Sequence, residues 1–158
     1  MFFVLLFLHT SALRVYINDE IYEGKDIDDI ISKYKYNFNT IKTIMAIDGY
    51  FDVNYKWYAF TSLEKFVIPY DSFQEYIYDC FQNMKSLKYV FINGAISIGS
   101  NSFENCTNLK LVSLKSCKHI HSRSFYQCSS LSYISIPNVT DIDSYAFYGT
   151  SIKSLNLY

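Results

Sequence analysis

The sequence predicts an α/β repeat solenoid, with a parallel β-sheet on one face and turns or short helices on the other. Three observations predict it. Phe81, Phe103, Phe125 and Phe147 follow one another at a constant step of 22 residues. Apolar columns keep that step: Leu87, Leu109 and Leu131; Val90, Val112 and Ile134; Ile92, Leu114 and Ile136; Ile98, Ile120 and Ile142. Val112-Ser113-Leu114 places two of these positions either side of a polar neighbour, which is the period of a strand.

Length and composition bound what such a chain can do. It has 158 residues, enough for one domain with a real core. Half of the residues are hydrophobic and 18% are charged, which excludes intrinsic disorder for the chain as a whole. The net charge of -1 gives no basic footprint for nucleic acid. Aromatic residues reach 19%, while Gly 5 and Pro 2 are few for a chain that must turn often.

Residues 1–12 open the chain. Phe2 to Leu8 is an unbroken apolar run, and Thr10 and Ala12 fit the small-residue pattern of a signal-peptidase site, with cleavage after Ala12. A buried strand and an artefactual start codon are the other readings of this run. It is too short to span a membrane, and no transmembrane segment is expected elsewhere. Residues 13–40 do not fit the repeat and are expected to form an N-terminal capping segment, because a solenoid must cover its open end. Within it Asp26 to Tyr34 has early acids, a later Lys and helical apolar spacing, so a short helix is predicted.

The solenoid is expected over 41–158, in about five units of 22–24 residues. Leu63, Phe66 and Ile68 precede Leu87, Val90 and Ile92 by 24, and Trp57 then takes the Phe column. Ile41, Ile44 and Ala46 fall one unit earlier, at a step of 22. Phe147, Ile152, Leu155 and Leu157 continue the pattern with one residue deleted. Repeats of 20–29 residues with an L-x-x-L-x-L core are the leucine-rich class. One such strand cannot bury its face alone, so stacked units build the sheet and the core together. The Phe column is expected to stack ring near ring along the axis. Asn93, Ser100, Asn101, Asn138 and Asp141 are expected to make the corners that Gly and Pro do not. At Tyr158 no polar cap follows, so an open edge is expected there, from truncation or because something pairs with it.

The unit reads F-x-x-C-x-x-L-x-x-[VI]-x-[IL]-x-x-x-x-x-I-x-x-x-[SA]-F, and Phe125 to Phe147 carries it in full. This stretch resembles the BspA-like (Treponema pallidum type) leucine-rich repeat. The resemblance covers 57 to 158 and is close from 81 onward. Gly99 matches the family glycine, which His121 and Asp143 replace in later units, and the family proline appears at Pro69 and Pro137. The resemblance implies a leucine-rich repeat solenoid of a secreted or cell-surface protein of bacteria or parasitic protists. It also implies adhesion to host proteins, host cells or other microbes.

Chemical candidates are few. Cys106 and Cys128 share a column, with Cys80 and Cys117 elsewhere. They are either buried free thiols stacked as a ladder or, for Cys106 and Cys128, a disulfide between neighbouring units. No C-x-x-C pair suggests zinc. His119 and His121 straddle Ile120 without a nearby third ligand, which reads as a solvated turn. No nucleophile motif or phosphate-cradling glycine loop is present, so neither an enzyme nor a cofactor is expected. Asn105 and Asn138 begin N-x-T sequons and are candidate glycosylation sites.

The outward strand positions remain. Tyr89, Phe91, Leu111 and Tyr133 are expected to form an apolar patch, with Lys88 and Lys110 along one edge. Such patches mark interaction sites, although cross-strand packing alone also produces them. Lys88 beside Lys110 would be mildly repulsive, which favours a partner. The function this points to is protein binding through the exposed sheet face by a secreted or cell-surface module, its ligand a host or cell-surface protein. The alternative is a cytoplasmic scaffold or structural repeat protein.

Overall fold

The structure is a computed structural model and describes residues 12–48, 56–69 and 75–155. Its first half-turn is a hairpin, β1 (Leu13–Ile17) and β2 (Glu20–Gly24), followed by helix α1 (Ile27–Tyr34). Strands then recur: β3 (Thr43–Asp48), β4 (Lys65–Ile68), β5 (Glu75–Ile77), β6 (Tyr89–Ile92) and β7 (Ala95–Ile98). They continue as β8 (Leu111–Ser113), β9 (His119–Ile120), β10 (Tyr133–Ser135) and β11 (Asp141–Ile142).

Two sheets enclose the core. Among the described residues the front sheet has seven strands in the order β10-β8-β6-β4-β3-β1-β2. From β3 to β10 it is parallel, and its register is the one the sequence spacing anticipates: Ile44 opposes Phe66, Phe66 opposes Val90, Val90 opposes Val112, and Val112 opposes Ile134. The back sheet has four parallel strands in the order β11-β9-β7-β5. On this side turns or short helices are expected, and turns are found together with a second set of short strands. The Ile98, Ile120, Ile142 column lies in β7, β9 and β11, with Ile98 opposite Ile120 and Ile120 opposite Ile142. A second apolar column two to four residues wide is long enough to pair with its neighbour, and too short for a helical turn to bury.

The aromatic column forms the axis. Successive ring centroids are 6.2 Å apart for Trp57–Phe81, 4.9 Å for Phe81–Phe103, 5.1 Å for Phe103–Phe125 and 5.4 Å for Phe125–Phe147, with interplanar angles of 8° or less. Trp57, Phe81, Phe103 and Phe125 are fully buried. Backbone bonds tie the arms carrying these rings together, Phe81 N–H to Ser102 O at 3.1 Å, Phe103 N–H to Ser124 O at 2.8 Å and Phe125 N–H to Ala146 O at 2.8 Å. The serines before Phe103 and Phe125 also have a job. Ser102 Oγ donates to Ile77 O and Gly99 O, both at 2.9 Å, and Ser124 Oγ to Gly99 O at 3.0 Å, so buried carbonyls at the end of the back strands are satisfied.

The turns use left-handed backbone in two columns of period 22. One holds Asp79, Asn101, Arg123 and Tyr145, the other Asn83, Asn105, Gln127 and Gly149, all with φ between 45° and 74°. Asn101 is thus a corner as expected. Asn93 and Asn138 hold corners differently, each donating its side-chain N–H to a carbonyl of the preceding unit, Pro69 O and Lys115 O, at 2.6 Å. Asp141 is a correction: it lies in β11, opposite His119, because the back strand runs through that position.

At the N-terminal end the chain departs from the repeat. β1 pairs antiparallel with β3 and β2 antiparallel with β1. Helix α1 begins as its sequence suggests: Asp26 is the N-cap and accepts from Asp29 N–H at 2.9 Å, and Asp29 accepts from Lys25 N–H at 2.9 Å. Ile27, Ile30 and Ile31 face the core. The apolar run Phe2 to Leu8 lies outside the described residues. No helix among those described is long and apolar enough to cross a membrane.

Candidate functional site: the front sheet face

The outward positions of the front sheet form two rows set by its register. The first runs Thr43, Lys65, Tyr89, Leu111, Tyr133. The second runs Tyr16, Met45, Val67, Phe91, Ser113, Ser135. The four apolar residues singled out from sequence therefore share one face. Tyr133 is 52% exposed and Tyr89 37%, while Phe91 and Leu111 are half-buried. Val67 stands apart from the core cluster yet is only 9% exposed, so its neighbours on this face cover it. Cross-strand packing thus holds the patch together, and the two tyrosines rise above it.

The charged edge differs from expectation. Lys88 is not left facing Lys110: its Nζ lies 2.7 Å from Glu64 Oε2. That contact holds the Glu64 carboxyl below its ordinary range. The pair is exposed and adds little to stability. Its signal was present in the sequence, since Glu64 precedes Lys88 by 24 residues, the spacing of their strands. Lys110 is exposed.

Sequence reasoning missed the far end of the face. The hairpin β1–β2 adds Tyr16 beside Met45 and Ile21 beside Tyr16, and Ile21 is 57% exposed. A cavity of about 220 Å³ opens there, lined by Tyr16, Asp19, Thr43, Met45 and Lys65. No repeat position announces β1, so only the alternation of Leu13-Arg14-Val15-Tyr16-Ile17 could have revealed it.

The other chemical candidates resolve differently. Cys80, Cys106, Cys117 and Cys128 are buried, and Cys106, Cys117 and Cys128 are free thiols. Cys106 Sγ donates to Phe81 O at 3.0 Å and Cys128 Sγ to Phe103 O at 2.9 Å, a thiol ladder that satisfies one carbonyl per unit. The adjacent Cys106 thiol and burial both push the Cys128 thiol up. Burial pushes Cys117 up to about 12. Thiols so held stay protonated and are poor nucleophiles.

The expected solvated turn at His119 and His121 is corrected in one respect: both side chains reach solvent, but His119 belongs to a strand. His119 lies in β9, its Nδ1 3.0 Å from Asp141 Oδ2, and His121 Nδ1 lies 3.1 Å from Asp143 Oδ2. The 22-residue step places each carboxylate beside its histidine on the back face. Among the described residues no group of three His, Cys, Asp or Glu side chains is placed to hold a metal ion. Of the sequon residues, Asn105 is half-buried with its side-chain N–H 3.3 Å from Asn83 Oδ1, and Asn138 is exposed at its corner.

A two-sheeted parallel solenoid with a 22-residue period and one aromatic per turn defines a class of repeat protein. A family model described as the BspA-type leucine-rich repeat region matches residues 51–158 as six copies, and the chain belongs to that family. No curated protein and no solved structure matches the chain.

Proposed function

We propose that this chain is a non-enzymatic protein-binding and adhesion module of a secreted or cell-surface protein, and that it binds through the front sheet. One observation carries this reading. The parallel register places Lys65, Tyr89, Leu111 and Tyr133 in a continuous outward row, with Tyr133 and Tyr89 exposed. Exposed tyrosines on a rigid sheet bring large contact area at low entropic cost, and Tyr is favoured at binding hot spots. The family suggests the same, since repeat proteins of this kind commonly bind protein. The ligand is a host or cell-surface protein. Residues 1–12 serve as a signal peptide and 13–40 as the cap that closes the solenoid.

Adhesion of fluorescent beads coated with the full chain to cultured cells tests the reading. Tyr89→Ala with Tyr133→Ala should reduce bead adhesion by about tenfold, two hot-spot truncations of a binding surface, with circular dichroism unchanged. Equal adhesion by a folded double variant would sink it.

One observation favours a second reading, an intracellular scaffold. Cys106, Cys117 and Cys128 are free thiols, the state a reducing compartment maintains. N-terminal sequencing of the natural protein separates the two. A mature chain starting at Leu13 supports export, and an intact Met1 supports the scaffold.

A further inference from the structure

The front face has a cavity at one end and an excess of lysine along its edge, and together they define the chemistry of a partner. We propose that the face takes an acidic polypeptide segment that seats one apolar side chain in the cavity beside Tyr16 and Met45. This rests on the reading that the front sheet binds protein, and it names the kind of segment that binds.

The cavity is continuous with the tyrosine row. Thr43 and Lys65 line it and oppose one another in the register, and Lys65 in turn opposes Tyr89. Met45 lines it from the second row, next to Val67. Its volume of about 220 Å³ is below the roughly 300–1,000 Å³ of small-molecule sites. Its lining combines Tyr16 and Met45 with Thr43, Lys65 and Asp19. An aromatic or branched aliphatic side chain suits such walls, because Met repacks around varied apolar shapes.

The charges set the rest of the segment. Lys42, Lys88 and Lys110 lie along this edge and Lys65 stands beside it in the first row, against the carboxylates Glu64 and Asp19, on a chain whose net charge is -1. Lys65 and Lys110 are exposed. Arg14 pairs with Asp48 further along β1 and β3, beside Glu23, and so adds no cationic character at that end. A partner with carboxylates near its apolar anchor gains from this edge without requiring the continuous cation field that a nucleic acid or anionic bilayer needs. The geometry also sets a length. From β3 to β10 the face crosses four strand spacings of about 4.8 Å, or about 19 Å, which an extended segment of about six residues covers.

The test pans a displayed library of random peptides against the immobilised full chain and measures the enriched peptides on variants. Enriched peptides should carry Asp or Glu beside an aromatic or aliphatic residue. Their affinity should fall about tenfold with Lys65→Glu and with Met45→Lys. It should also fall as salt approaches 1 M, where the screening length is about 3 Å. Thr43→Arg fills the same cavity from another position on β3 and should act like Met45→Lys, which keeps the test valid if one variant misfolds. Enriched peptides without acidic bias, or ones that tolerate all three variants, overturn the proposal. If those peptides still lose affinity with Tyr89→Ala, the front-face reading survives while this inference fails. No enrichment also overturns it, as does tighter binding of a single-stranded oligonucleotide or phosphatidylserine vesicles that Lys65→Glu abolishes.

Discussion

The Phe103 ring lies 5.1 Å from the Phe125 ring, with an angle of 4° between their planes. Two rings this parallel on separate repeats require the repeats to be stacked without slip, so the column reports the register of the whole solenoid. Each inner ring is held on both faces by its neighbours. We expect Phe103→Ala to destabilise the fold by about 3–5 kcal/mol, as for other buried Phe truncations. Phe147 is half-buried and stacks on Phe125. We expect Phe147→Ala to cost clearly less. Urea unfolding of the two variants, followed by far-UV circular dichroism, checks the order. Equal losses would contradict the column as a source of cooperativity between units.

Cys117 gives the fold an alkaline limit. Burial raises its thiol from 9.0 to about 12. Between those values the unfolded chain has lost a proton that the folded chain keeps, so stability falls as pH rises. The contribution is complete below pH 9. We expect the urea midpoint of the natural chain to drop further from pH 9 to pH 11 than that of Cys117→Val, whose side chain has similar volume. Parallel pH profiles would show that this thiol does not couple folding to pH. Native Cys117 and Cys128 should resist a disulfide exchange reagent at neutral pH and react once urea unfolds the chain.

Gln127 and Gly149 occupy the same turn in consecutive repeats, with φ of 57° and 74°. A side chain in the left-handed region is strained, and glycine is not. We expect Gln127→Gly to stabilise by about 0.5–1 kcal/mol. Gly149→Ala should destabilise, because its new Cβ would also lie 2.9 Å from the Gln127 side chain. Thermal unfolding midpoints moving in opposite directions would bear this out. Shifts of the same sign would place the strain elsewhere.

Most of the fold is legible in the spacing of apolar columns, because parallel stacking converts a constant step into a constant register. The aromatic column and the inward Val112 and Leu114 follow directly from it. The back sheet is harder to see, since strands as short as His119–Ile120 carry one inward side chain and no alternation. The hairpin is harder still: β1 pairs antiparallel and belongs to no column, so its contribution of Tyr16 to the front face was hidden. The shortage of glycine is explained only in part by Asn and Asp. Arg123, Gln127 and Tyr145 also adopt left-handed backbone, and no residue preference signals them. Inter-repeat hydrogen bonds such as Gln127 N–H to Tyr148 O at 2.8 Å hold these residues in place.

The two faces offer a direct comparison. The front carries Tyr89 and Tyr133, and the turns beside the back sheet carry Tyr126 and Tyr148, whose rings stack at 5.2 Å. Bead adhesion measured for Tyr89→Ala/Tyr133→Ala and for Tyr126→Ala/Tyr148→Ala, at equal surface density and with folding verified, separates the faces. Binding through the front sheet predicts a loss of about tenfold for the first pair and adhesion near the natural level for the second. Loss confined to the second pair, or shared equally by both, would contradict it.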